Sequence, residues 1–106
     1  MRFFRKRSAA EERDFGRHPE IVRPAVARAV RELGWQARTT KSGTIEAVWT
    51  SGVFRFKGDV SIKTLTLKGA TRVRVESVAR RGGFDFGENA RMVREFLHQV
   101  DLHLVM

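Results

Sequence analysis

DVSIKTLTLKGATRVRVESVA, from Asp59 to Ala79, is the stretch on which the fold turns. Two runs rich in valine, isoleucine and threonine flank Lys68-Gly69, a dipeptide suited to a tight turn. In the second run Val73, Val75 and Ser77 alternate with Arg72, Arg74 and Glu76. A period of two sends successive side chains to opposite faces, so one face is apolar and one charged. The pattern predicts strands over Asp59–Leu67 and Ala70–Ala79, joined as an antiparallel hairpin.

The same period extends upstream. Ile45, Ala47 and Trp49 alternate with Glu46, Val48 and Thr50 in a strand expected over Thr44–Thr50. Before it, the Lys41-Ser42-Gly43 turn follows Trp35, Ala37 and Thr39, which alternate with Gln36 and Arg38. Ser51-Gly52 interrupts the sequence of strands, and Val53-Phe54-Arg55-Phe56 reads as a loop or bulged extension. Helical spacing appears at both ends. Ile21 or Val22, Val26, Ala29, Val30 and Leu33 recur on one side ahead of Gly34, a helix-ending residue. Pro24 is expected in the first turn of that helix, which places its start near residue 22 or 23. Phe86, Ala90, Val93, Leu97, Val100 and Leu104 form the stripe of a last helix, with Asp85 as N-cap and Glu88 three residues on. The expected fold is α+β: a four-stranded antiparallel sheet with one helix before and one after it (αββββα), both on one face.

A chain of 106 residues with 42% hydrophobic residues has material for one core. It carries no cysteine, so neither disulfides nor thiolate metal sites enter, a composition that fits a reducing compartment. No apolar run approaches the roughly 18 residues of a membrane span, and no apolar stretch follows the opening charges as in a signal peptide. The expectation is a cytoplasmic protein without a transmembrane segment. Four of the 21 basic side chains, Arg2, Arg5, Lys6 and Arg7, fall in the first eight residues without an acid. Almost half of the formal +9 therefore sits there. Residues 1–17 show no sustained period and are expected to form a basic, flexible tail, with residues 1–15 dispensable for folding, ahead of a single domain over 18–106.

The segment SVARRGGFDFGENARMVR, Ser77 to Arg94, joins the last strand to the last helix. It resembles the close of an uncharacterised family catalogued as domain of unknown function 1499, which follows a pattern S-x-S-R-x-G-x-x-D-x-G-x-N-x-x-R before an apolar helix. Ser77, Arg80, Gly82, Asp85, Gly87 and Asn89 match, Ala79 replaces the second serine, and Arg91 or Arg94 stands for the final basic residue. Upstream, IEAVW from Ile45 and FKGDV from Phe56 resemble two further stretches of the family, with Gly58 where it carries an acid. The resemblance spans roughly residues 22–104. It implies a shared fold and brings no activity, substrate or cofactor.

Physically this motif is a strand-to-helix corner. Asp85 suits the first free amides of the helix, Arg80 could fork onto Asp85, and Asn89 could hold the turn. Ser77, Arg80, Gly82, Asp85, Gly87 and Asn89 then form either a bare clamp, the reading we favour, or the floor of a small polar-ligand site.

Catalytic machinery is not evident. His98 and His103, five apart on one helix, are turned about 140° from each other and cannot chelate as an i, i+4 pair, and His18 falls at a cap position. Asp59, Glu76, Asp85 and Glu88 could supply paired carboxylates, but Lys63, Arg72 and Arg74 on neighbouring strands make ion pairing the simpler account. No nucleophile elbow or phosphate loop is present, and no metal or cofactor is expected.

Two basic surfaces are candidate polyanion contacts: Arg2, Arg5, Lys6 and Arg7 in the tail, and Arg38, Lys63, Arg72 and Arg74 on the sheet face away from the helices. Phe3 and Phe4 between basic residues allow a weak contact with an anionic membrane surface. The sequence favours a non-enzymatic binding or interaction module, self-associating through an exposed strand edge. A nucleic-acid or polyanion binder is the alternative, and a third is a carrier of a small apolar ligand lined by Trp35, Trp49, Phe54 and Phe56.

Overall fold

The hairpin around Lys68-Gly69 forms the middle of the sheet in the computed structural model, which describes residues 2–5, 8–50, 56–80 and 87–105. In chain order the elements are β1 (Arg2–Arg5), β2 (Ser8–Phe15), α1 (Pro19–Glu32), β3 (Gln36–Thr39), β4 (Ile45–Thr50), β5 (Lys57–Leu67), β6 (Ala70–Ala79) and α2 (Glu88–Val105). Gly69 takes a φ of +73° in the turn, where side chains with a Cβ are strained. Every adjacent pair of strands is antiparallel, in the spatial order β1-β2-β6-β5-β4-β3. The helix–sheet–helix order and the antiparallel pairing agree with the sequence, and the four expected strands are β3 to β6.

The expected sheet of four is incomplete, and the flexible tail over residues 1–17 is overturned for its strand-forming part. Ser8–Phe15 is a further strand, paired along its whole length with β6 from Ser8↔Val78 to Phe15↔Thr71, and β1 pairs on its far side. Ala9 and Phe15 enter the main core cluster. Glu11 and Arg13 share their side of the strand, which erases the apolar period. Arg13 donates to Glu11 at 3.3 Å and to Asp101 of α2 at 2.7 Å, so the inward charges are spent tying sheet to helix.

Both helices cover the sheet face that carries Ala47, Trp49, Val60, Ile62, Val73 and Val75, and they pack on each other. α1 lies toward β3 and β5, and α2 lies across β2 and β6. Helix α1 starts at Pro19 rather than near residue 22, and Pro24 stands inside it. Pro24 and Glu20, the residue whose carbonyl loses its partner, are both exposed, so water can satisfy that carbonyl. In α2 the buried stripe includes Met92 and Phe96 beside Val93, Leu97 and Val100, and Phe96 stacks on Trp35 with ring centroids 5.9 Å apart. The expected cap Asp85, with Phe86, lies outside the described residues, as do Phe54 and the extension around it. Glu88 pairs with Arg91 one turn on.

Candidate functional site

The residues of the corner motif divide between the two faces of the sheet. Ser77 points inward from β6, and so does Trp49 from β4; both are fully buried, as is Asn89 in the first turn of α2. The Trp49 indole Nε1–H donates to Ser77 Oγ at 2.7 Å, and Ser77 Oγ–H donates to Asn89 Oδ1 at 2.5 Å. Two strands and a helix are joined by one buried polar chain whose members satisfy each other. Ser77→Ala is expected to strand the indole N–H and remove one partner of Asn89, lowering stability by about 2 kcal/mol. Denaturant unfolding of the variant checks this.

Arg80 lies on the opposite face. It is exposed and forks onto Asp59 of β5, with Nε 3.0 and 3.1 Å from the two carboxylate oxygens. That hydrogen bond raises the guanidinium pKa above its already high ordinary value. Gly87, at a φ of +80°, begins the turn into α2, where its carbonyl accepts from Arg91 N–H at 2.9 Å. Gly82 and Asp85 lie outside the described residues, and with them the expected Arg80–Asp85 fork.

The other face of the sheet lies away from both helices. Between β3 and β6 it forms an open hollow of about 850 Å³. Val48, Ser61 and Val78 supply its small floor, and charged side chains stand around them. Arg38 meets Glu46 at 3.0 Å and Arg80 meets Asp59. The polyanion candidates of the sheet are therefore not an open cationic field. Arg72 is held by Asp14 at 2.8 and 3.2 Å, and Arg74 by Glu12 at 3.2 Å. Both partners come from β2. The Arg72 hydrogen bond holds the Asp14 carboxyl below the usual carboxylate range. A depressed carboxylate pKa means this surface pair holds at neutral pH and loosens only as pH falls through that lowered value. Lys63 is exposed and makes no ion pair with a described residue. Arg2 and Arg5 bound β1, while Lys6 and Arg7 lie outside the described residues.

The other candidates separate as well. Of the residues expected to line an apolar groove, Trp35 and Trp49 are core residues and Phe56 is half-buried against the core. His18 occupies the N-cap position of α1 without a side-chain cap bond. Among the described residues no three histidine, aspartate or glutamate side chains converge as a metal site would require. No helix among them is long and apolar enough to cross a membrane. A second groove, of about 760 Å³, opens between α1, the β3–β4 turn and the end of β5, and no pattern in the sequence signals it.

Fold and surfaces together define an α+β domain whose two helices cover one face of an antiparallel sheet. The chain belongs to the family described as protein of unknown function (DUF1499), whose model matches residues 5–100. That match begins ahead of β2, in keeping with the place of the N-terminal segment in the sheet. No curated protein matches the chain. Among solved structures it is similar to the crystal structure of TTHA0849 from Thermus thermophilus. The two superpose with a TM-score of 0.50 at 12% identity, over 92% of this chain and 97% of that one, a likeness of fold.

Proposed function

We propose that this chain is a non-catalytic interaction module that pairs with a second copy of itself across the hollow outer face of its sheet. The observation carrying this reading is the charge balance of the hollow. On a chain of formal charge +9, its rim holds Arg38, Lys63 and Arg80 against Glu46, Asp59 and Glu76. A neutral face with both signs interspersed gives a polyanion no electrostatic grip. It suits a two-fold contact, in which each acid of one copy meets a base of the other. Val78, 41% exposed on this face, supplies an apolar contact.

Sedimentation velocity over about a hundredfold range of concentration tests the reading, since association follows mass action. The expected result is a concentration-dependent dimer that Val78→Lys converts to monomer with an unchanged melting curve. A chain that stays monomeric throughout, or a Val78→Lys variant that dimerises as before, overturns it.

A further inference from the structure

We infer that the groove between α1 and the end of β5 binds an extended acidic peptide segment, which adds as a strand to β5. This site meets the outer-face hollow at Lys63 but does not rest on the contact proposed there. Three observations converge. First, β5 is longer than its neighbour: β4 pairs with it only from Lys57 to Ile62, and Lys63–Leu67 pairs with β6 alone. Five residues, about 17 Å of strand, thus have no strand partner on that side among the described residues, and their alternate backbone N–H and C=O groups face the groove that the β3–β4 turn flanks. Second, the groove of about 760 Å³ runs beside that edge, with Val26 and Ile62 in its floor and Leu65, half exposed, at its rim. Such an edge accepts an added strand through main-chain hydrogen bonds, and the apolar floor takes alternate side chains. Third, every charged side chain lining the groove is basic: Arg23, Lys41 and Lys63. None of the three forms an ion pair with a described residue; Arg23 reaches only the Thr64 hydroxyl, at 3.4 Å. Cations without carboxylates around a strand edge select an acidic partner, and they also keep the edges of two copies apart.

The probe is a fluorescein-labelled peptide of alternating glutamate and valine, titrated into the full chain and followed by anisotropy. Saturable binding that weakens with salt is expected, with the matching lysine–valine peptide at least about tenfold weaker. Methylating alternate backbone nitrogens of the acidic peptide should abolish binding, because it removes the ladder donors and leaves the charges. Arg23→Glu with Lys41→Glu, both exposed positions, should reverse the preference toward the lysine peptide, an outcome that a misfolded variant cannot produce. Val78→Lys should bind the acidic peptide as the parent does, which separates this site from the dimer face. Equal binding of both peptides, indifference to N-methylation, or displacement by a simple amphipathic anion such as laurate with no peptide selectivity would overturn the proposal.

Discussion

A chain that starts at residue 16 should fail to fold cooperatively. Removal of β2 unpairs β6 along its register from Ser8↔Val78 to Phe15↔Thr71. It takes Phe15 and Ala9 out of the core and deletes the Arg13–Asp101 bond between sheet and helix. Loss of a buried phenylalanine alone costs about 3–5 kcal/mol. Adding a lost strand ladder and the lost ion-pair partners Glu11, Glu12, Arg13 and Asp14 brings the total to the size of a small domain's whole stability, about 5–15 kcal/mol. β6 would become an edge strand with a row of buried side chains uncovered, which invites aggregation. Circular dichroism melts of the full and shortened chains decide the matter. A sigmoidal transition within a few degrees of the full chain's would show that β2 is an ornament of the sheet. Phe15→Ala in the full chain separates the core contribution from the ladder.

The second large effect is expected at Gly58. A Cβ built there falls 2.2 Å from the Trp49 indole, inside any contact a real side chain makes. Gly58 and Trp49 are register partners on β5 and β4, and the indole lies across the glycine to reach Ser77. The obstacle is a rigid bicyclic ring held by a buried hydrogen bond, so it cannot swing aside cheaply. Gly58→Ala should therefore destabilise by about 3 kcal/mol, the upper end of ordinary overpacking. The mechanism has a sharper signature than the magnitude. In a Trp49→Leu background the same change should cost far less, because the clashing ring is gone, and the double-mutant cycle should show strong coupling. Additive losses would mean that Gly58 matters through its backbone and not through the space it leaves. The FKGDV stretch departs from the family's acidic residue at this position, and the indole accounts for the glycine: nothing larger fits beneath it.

Much of the domain was legible from periodicity. The alternations over β3 to β6 placed Ala47, Trp49, Val73, Val75 and Ser77 on the covered face and Arg38, Lys63, Arg72 and Arg74 on the other, because the strand period has only two phases. The SVARRGGFDFGENARMVR segment was legible as a strand-to-helix joint and as a family mark. Its chemistry was not. Ser77 and Asn89 are twelve residues apart, and only the bond between them, with the Trp49 nitrogen donating to Ser77 in turn, shows that they form a buried chain. Arg80, five residues before Asp85 in sequence, finds Asp59 on the neighbouring strand, a partner set by register and not by spacing along the chain.

The amino-acid order thus determined by itself what short-range physics determines: which segments are extended, which are helical, and which side of each faces inward. Tertiary structure alone decided the rest, and β2 shows why. Its sequence, SAAEERDF, has no apolar alternation, and as an isolated segment it reads as a solvated tail. It becomes a strand because β6 offers a free edge, and because each of its charges meets a counter-charge there. Glu12 and Asp14 meet Arg74 and Arg72 on the outer face, and Arg13 meets both Glu11 and Asp101 on the covered one. The partners on β6 and α2 lie about sixty to ninety residues away along the chain, at distances that carry no local signal. The charge balance of the hollow and the uncovered end of β5 follow from the same register, which exists only once the strands are side by side.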